Sequence, residues 1–261
     1  MKKYFLIVIA ILVLKNSSGQ KAFTNDSFVK PSVDKMLFIY GGGLSRVFIK
    51  YVANLTNKPE PKVCYIPTAS GDNPNFINLW YNLCEELPLQ PYVLRTFIGS
   101  SSTSKTFEES IMSMDAIIVG GGNTLNMLAI WKAHGIDTVL RKAYEKGIIL
   151  AGGSAGSLCW FTGGYTDSRP KELSLVEGLG FINFSNCPHY HSEPTRRPLY
   201  HQAISNSKLK AGYACDDLAG LLFINGVVNK SVSQNAENNN YLISLVDGKI
   251  KEELLPAEII K

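Results

Sequence analysis

The chemistry this sequence can offer is concentrated around one serine and four histidines. An apolar run, Gly147-Ile148-Ile149-Leu150-Ala151, leads directly into Gly152-Gly153-Ser154-Ala155-Gly156. A strand ending in G-x-S-x-G sets its serine on a sharp strand-to-helix turn, where the backbone is strained and the hydroxyl is pushed into a cleft. Glycine at 152 and 156 and alanine at 155 omit the side chains that would clash in so tight a turn. The plain alternative is a glycine-rich connection between a strand and a helix, and the pentapeptide by itself does not separate the two. A base and an orienting acid do.

Serine is a weak nucleophile until an adjacent group takes its proton, and the histidines are His134, His189, His191 and His201. His189 follows the apolar segment 181–184 and is fixed by Pro188, so it can lean over the cleft edge; it is the expected base. His191 is second in order. His134 sits ahead of Gly135 as a helix C-terminal residue, and His201 opens a helix-like segment in a supporting role. Asp167, in Thr166-Asp167-Ser168, is a candidate acid, although such a cluster is also an ordinary turn or cap. Glu172, Glu177 and the pair Asp216-Asp217 compete with it, and the residues alone leave that choice open. A conventional α/β-hydrolase also runs Ser…Asp…His, but its histidine falls near the C-terminus, and no histidine follows His201 here. A metal site from His189-x-His191 with His201 and Asp216 or Asp217 requires an irregular backbone, since alternate strand residues point to opposite faces. No metal and no cofactor is expected.

The elements that must position these groups alternate along the chain. Short β-branched runs at 36–40, 63–66, 92–97, 116–119 and 148–151 read as strands. Helical spacing covers 46–55, 75–86, 106–112 and 124–146, the last broken at Gly135. This predicts an α/β fold, a parallel sheet covered by helices on both faces. Beyond Leu209, strands at 213–215, 220–224, 241–246 and 249–254, with turn signals Asn225-Gly226 and Asp247-Gly248, predict a C-terminal antiparallel β part. Parallel sheets bind ligands at the carboxyl ends of their strands, where the glycine-rich loops 41–43, 120–122 and 152–156 fall. The first lacks the dinucleotide spacing, and none of the three has the lysine of a P-loop. Backbone donors offered to an oxyanion are the better reading.

Composition sets the frame. At 261 residues, 45% hydrophobic and 18% charged, the chain can bury one large core. Lys2, Lys3 and Lys15 supply three of the four net positive charges, and no basic patch with interleaved aromatics marks a nucleic-acid partner. Residues 1–20 have the layout of a secretory signal peptide, lysines before an apolar run and then small polar residues. The run is too short to span a membrane, which takes roughly 20 apolar residues. Residues 21–33 read as a lead-in and 34–261 as one domain. The protein is expected to be exported, periplasmic or secreted, if the signal operates and cytoplasmic otherwise, without a stable membrane anchor; a homodimer is compatible with the sequence. Five cysteines without CxxC pairs suit buried free thiols.

Three motifs in order, Val119-Gly120-Gly121-Gly122-Asn123-Thr124, Ala151-Gly152-Gly153-Ser154-Ala155-Gly156 and Asn186-Cys187-Pro188-His189-Tyr190, resemble the S51 serine peptidases, the family of aspartyl dipeptidase and cyanophycinase. The resemblance runs from about Met36 to past Gly220. It implies a flavodoxin-like three-layer α/β sandwich related to class I glutamine amidotransferases, with serine where those carry cysteine. It further implies Ser154 as nucleophile, His189 as base, Asp167 as acid with Glu172 as the alternative, and the N–H groups of Gly122 and Ala155 as oxyanion donors. The implied substrate is a short peptide, with Asp-X or β-aspartyl bonds in view. Asn123 and the Arg196-Arg197 pair are candidate substrate contacts, the arginines as a carboxylate clamp. The signal segment and the stretch 165–175 depart from the dipeptidase pattern. A catalytically silent binding protein on the same fold is the alternative function.

Overall fold

Alternation of apolar residues decides the central sheet. In β1 (Met36–Tyr40), Leu37 and Ile39 face one side and Phe38 and Tyr40 the other, and all four are buried. A strand buried on both faces needs a layer on each side. The structure is a computed structural model that describes residues 33–97, 99 and 104–261. The expected signal segment 1–20, and the lead-in up to residue 32, lie outside the described residues.

Helix α1 (Arg46–Leu55) starts at Ser45, whose Oγ accepts the Phe48 N–H at 3.2 Å, a side-chain cap that satisfies an orphan donor. After β2 (Lys62–Ile66), α2 (Pro74–Cys84) opens with an Asn73 cap and a proline in its first turn. Strand β3 (Gln90–Val93) begins earlier and ends earlier than the 92–97 expected. Pro91 is tolerated because β3 is the sheet edge, where a missing N–H is harmless. The N–H groups of Thr96 and Phe97 leave the ladder and donate to the Asp72 carboxylate, each at 2.6 Å. A capping box between Thr106 and Glu109 opens α3 (Phe107–Met112) ahead of β4 (Ala116–Val119). Gly135, at φ +70°, ends α4 (Thr124–His134) and begins α5 (Ile136–Glu145). Strand β5 (Ile149–Gly153) then runs into the short α6 (Ala155–Leu158).

Thereafter come β6 (Gly163–Thr166), β7 (Ser174–Glu177), β8 (Ser185–Cys187), α7 (Arg196–Ser205), β9 (Gly212–Cys215), β10 (Ala219–Ile224), β11 (Val227–Ser233), β12 (Asn240–Val246), β13 (Lys249–Leu255) and β14 (Glu258–Ile259). The central sheet has the order β14-β11-β10-β1-β5-β4-β2-β3, with β1, β5, β4, β2 and β3 parallel. Helices α1 and α2 cover one face and α3, α4 and α5 the other. The expected C-terminal antiparallel part is divided. Strand β10 pairs antiparallel with β1 and carries β11 with it into the central sheet, whereas β13, β12, β9 and β8 form a second sheet under α7. Both signalled turns are made: Asn225 and Gly226 have φ +52° and +81°, Asp247 and Gly248 +51° and +72°, as a twisted hairpin requires.

Register aligns the loops that matter. Tyr40 pairs with Gly153 and Val119 with Gly152, so the glycine-rich segments after β1, β4 and β5 emerge side by side at the carboxyl edge. The five cysteines (64, 84, 159, 187 and 215) are free and buried. Burial pushes their thiols up, to about 12 for Cys64, Cys84 and Cys187.

Candidate active site

Ser154 stands between β5 and α6 at φ +55°, ψ −119°, a conformation that L-residues with a side chain rarely adopt and that is strained by about 1–3 kcal/mol. Its N–H donates to the carbonyls of Tyr40 (3.3 Å) and Gly41 (3.1 Å), and its carbonyl accepts the first bonds of α6 from Ser157 and Leu158, both at 3.0 Å. Two glycines make the turn possible by close approach. A methyl group at Gly152 would lie 2.2 Å from the Gly156 carbonyl oxygen, and one at Gly156 would lie 2.2 Å from that of Val119.

His189 reaches Ser154 from the loop after β8. Its backbone is also left-handed, at φ +55°, and the turn is held by Tyr190 N–H to the Cys215 carbonyl and Glu193 N–H to the His189 carbonyl, both at 3.2 Å. Nε2 lies 2.8 Å from Ser154 Oγ, and Nδ1 lies 2.7 Å from Asp217 Oδ1. A carboxylate only accepts, so Nδ1 carries the imidazole proton and Nε2 is free to accept from the serine hydroxyl. Asp217 occupies the tight turn between β9 and β10, closed by Ala219 N–H to the Asp216 carbonyl (3.2 Å) and Leu218 N–H to the Gly42 carbonyl (3.3 Å). The bond from His189 holds the Asp217 carboxyl below the usual carboxylate range; burial opposes it, while the Ser192 hydroxyl and the Arg196 charge add to it. Gly42 is the floor under the pair: a methyl there would sit 2.4 Å from both Asp217 Oδ1 and His189 Cε1.

Asp167, expected as the acid, does not reach His189. Its side chain is 70% exposed, 4.0 Å from Arg196 Nη2. The neighbours of Asp167 explain why. Thr166 Oγ1 bonds Thr124 Oγ1 (3.2 Å), Ser168 Oγ accepts the Leu125 N–H (3.2 Å), and the Ser168 carbonyl accepts from Asn123 Nδ2 (3.0 Å). These contacts pin residues 166–168 to the start of α4 and leave the carboxylate between them to solvent. Glu172 lines an open cavity together with Asp167, away from the imidazole. The group at Nδ1 is Asp217, one of the competing acids that residue type alone left open.

The expected substrate contacts are engaged elsewhere. Asn123 uses both ends of its amide, Oδ1 accepting the Asn126 N–H at 2.8 Å to cap α4 and Nδ2 donating to Ser168. Arg196 is buried, donating to Glu193 Oε2 (2.6 Å) and the Tyr165 carbonyl (2.8 Å). Arg197 grips Glu252 through Nε (2.8 Å) and Nη2 (3.2 Å), which raises its pKa. The clamp exists, but on a carboxylate of the protein itself. His191 pairs with Asp216 Oδ1 at 2.8 Å, and His201 Nε2 meets Tyr190 Oη (2.7 Å) and Glu252 Oε2 (3.1 Å), while the Tyr190 hydroxyl donates to Glu252. Because His189 and His191 turn to different aspartates, they do not converge as a chelating pair. His134 closes α4 with its ring against Phe107.

Gly121 borders the serine: a methyl there would lie 3.1 Å from Ser154 Cβ. Gly122, at φ +135°, would bring a methyl 2.3 Å from the Ala69 carbonyl oxygen, so only glycine fits the peptide orientation adopted there. Neither the Gly122 nor the Ala155 N–H donates to an acceptor among the described residues. Beside them, Ser154 opens on a cavity of about 350 Å³ walled by Tyr40, Leu44, Tyr65, Phe76 and Leu79. A hydroxyl, an imidazole and a carboxylate in relay, next to unused backbone donors, can carry out acyl transfer.

Comparison with known proteins identifies the family. The model of peptidase family S51 matches residues 37–231. The uncharacterized peptidase YgaJ of Bacillus subtilis (strain 168) is 43% identical over 211 residues, covering 81% of this chain and 90% of its own. Among solved structures, a peptidase from an acI-B1 Actinobacterium superposes with a TM-score of 0.67 at 17% identity, over 89% of this chain and 98% of the other. A putative peptidase E from Listeria monocytogenes EGD-e gives 0.57 at 21% identity, over 77% and 100%. At those identities the two structures speak for the fold, a mixed α/β architecture around a large central sheet.

Proposed function

Since the chain belongs to peptidase family S51, a family of peptide hydrolases, we propose that it hydrolyses short peptides through a covalent acyl-enzyme on Ser154, with His189 as general base and acid and Asp217 as the orienting carboxylate. The observation that carries this reading is the continuous relay from Asp217 through His189 to Ser154, two contacts of 2.7 and 2.8 Å. In the first half-reaction Ser154 Oγ bonds to the peptide carbonyl carbon as its proton passes to His189 Nε2. Asp217 keeps the imidazole in the tautomer that can accept at Nε2 and stabilises the imidazolium that forms. The Gly122 and Ala155 N–H groups receive the oxyanion, a role in which one donor is worth about 3 kcal/mol of barrier. The carbon–nitrogen bond then breaks and the amine leaves with the proton from His189. In the second half-reaction water adds to the acyl-enzyme by the same route, and the free acid and Ser154 are restored. The finer placement of the fold, a flavodoxin-like sandwich akin to class I glutamine amidotransferases, belongs to the same proposal and is supported by the parallel order of β1, β5, β4, β2 and β3.

The test is Ser154→Ala against wild type, read by hydrolysis of a dipeptide library and by labelling with a fluorophosphonate. Wild type is expected to hydrolyse peptides and to label at Ser154, and the variant to do neither. A purified wild type inert in both assays, or a Ser154→Ala variant that still hydrolyses, overturns the proposal and leaves a binding protein on the same fold.

A further inference from the structure

The cavity beside Ser154 is mostly apolar and carries no charge. Leu44 follows the β1 loop, Phe76 and Leu79 come from α2, and Tyr40 and Tyr65 stand at the ends of β1 and β2; no charged side chain is among its walls in the described residues. The remaining lining is Ser154 and glycine backbone from the loop after β1, the 120–122 loop and the elbow. At about 350 Å³ it lies at the small end of ligand pockets, roughly 300–1,000 Å³, and has room for one large side chain. Tyr40 and Tyr65 are 2% exposed, and neither hydroxyl bonds a described residue. Burial raises both phenols, so they remain neutral O–H groups and contribute no charge of either sign.

His189 is not a wall of this cavity. The leaving amine has to meet His189 Nε2 to be protonated, so the acyl half of the substrate lies on the other side of Ser154, where the cavity is. Resting on the peptidase reading above, we infer that this cavity is the acyl-side specificity pocket and that it selects a large apolar side chain, leucine, methionine or phenylalanine, not aspartate. A carboxylate entering it loses water and meets no cation, because Arg196 and Arg197 are already paired with Glu193 and Glu252. Burying an unpaired charge is heavily disfavoured. Two neutral phenols do not replace the bidentate arginine that carboxylate recognition uses. An apolar chain gains instead, each buried methylene raising kcat/KM by about tenfold or more.

The experiment uses the purified full chain and two dipeptide series, X-Ala and Ala-X, with X as Leu, Phe, Met, Ala or Asp. In the X-Ala series kcat/KM for Leu and Phe is expected to exceed that for Asp by at least about tenfold, with the Ala-X series much flatter. Leu79→Arg, on a half-exposed wall of α2, is expected to invert the order by raising Asp-Ala over Leu-Ala. Phe76→Ala is expected to lower Phe-Ala selectively; circular dichroism and thermal melting establish that both variants fold. Asp-Ala as the best wild-type substrate, or selectivity confined to the Ala-X series, overturns the pocket assignment while the peptidase reading stands. Hydrolysis of no peptide, with no phosphonate labelling of Ser154, overturns the peptidase reading and the pocket with it.

Discussion

Asp217 grips His189 by one 2.7 Å contact at Nδ1, and the adjacent Asp216 grips His191 in the same way at 2.8 Å. Two neighbouring aspartates on one turn therefore fix two histidines on another. The turn between β9 and β10 and the loop after β8 are bound to each other twice, once through the pair that touches Ser154 and once through the pair beside it. Asp216 is the buried member, its second oxygen accepting the Asn239 N–H at 2.9 Å, so it braces the turn that presents Asp217.

The identity of the acid can be read from two substitutions. Asp217→Asn is expected to lower kcat by about 10⁴-fold, because the amide favours the wrong imidazole tautomer. Asp167→Asn, on a solvent-exposed carboxylate, is expected to leave kcat within about threefold. Steady-state kinetics on any hydrolysed dipeptide distinguishes them, and the reverse ranking would return Asp167 to the relay.

Gly42→Ala places a methyl against two side chains, not against backbone, so His189 and Asp217 can give way without unfolding the chain. Activity is expected to fall by about 100-fold, the effect of a misplacement near 1 Å. The thermal midpoint should move little. A variant with full activity would show that the relay does not depend on this floor.

The elbow's strain has a sign that can be measured. In an ordinary position alanine is more stabilising than glycine; at φ +55°, ψ −119° the order should reverse, because only glycine relaxes there. Ser154→Gly is expected to melt about 2–4 °C above Ser154→Ala, equivalent to about 1 kcal/mol. Equal or inverted midpoints would show that the turn stores no strain.

Acid should weaken the packing of α7 on the second sheet. Burial and the nearby Arg197 hold the His201 imidazole below its ordinary 6.5. A base with a depressed folded value contributes its full stability above 6.5 and loses it as pH falls from there through the folded value. Glu252, which burial would raise but Arg197 and Tyr190 hold below 4.5, loses its share only further into acid. His201→Gln, neutral throughout, is expected to flatten the fall in unfolding free energy from about pH 7 to about pH 5. Urea titrations across that range give the comparison, and parallel curves would refute it.

The central sheet was legible because its strands advertise themselves: 36–40 and 116–119 are unbroken apolar runs and fold as β1 and β4 with those bounds. One strand that went unseen has a polar sequence whose pairing is decided from a distance. β8 is Ser-Asn-Cys, buried because Ser185 bonds Tyr200 (2.7 Å) and Asn186 bonds Ser157 (2.8 Å) and the Tyr213 carbonyl (3.1 Å). Ser154 and His189 could be named since a local turn and a short list of histidines single them out. Asp217 could not be, for it arrives 28 residues after His189, on a turn whose place is set by β10 joining the central sheet and β9 the second. The signal that points to it is an aspartate pair directly after a short apolar strand, at the end where parallel sheets gather their ligands.

The sealed thiols described with the fold have a practical reach. A cysteine reacts as its thiolate and only when a reagent can touch it, and here five are buried with their ionisation pushed up. The thiols are thereby shielded from oxidants in solution while the core is closed. Each thiol is also a built-in clock: the rate at which it is alkylated counts how often that part of the core opens, region by region, without any label having to be introduced.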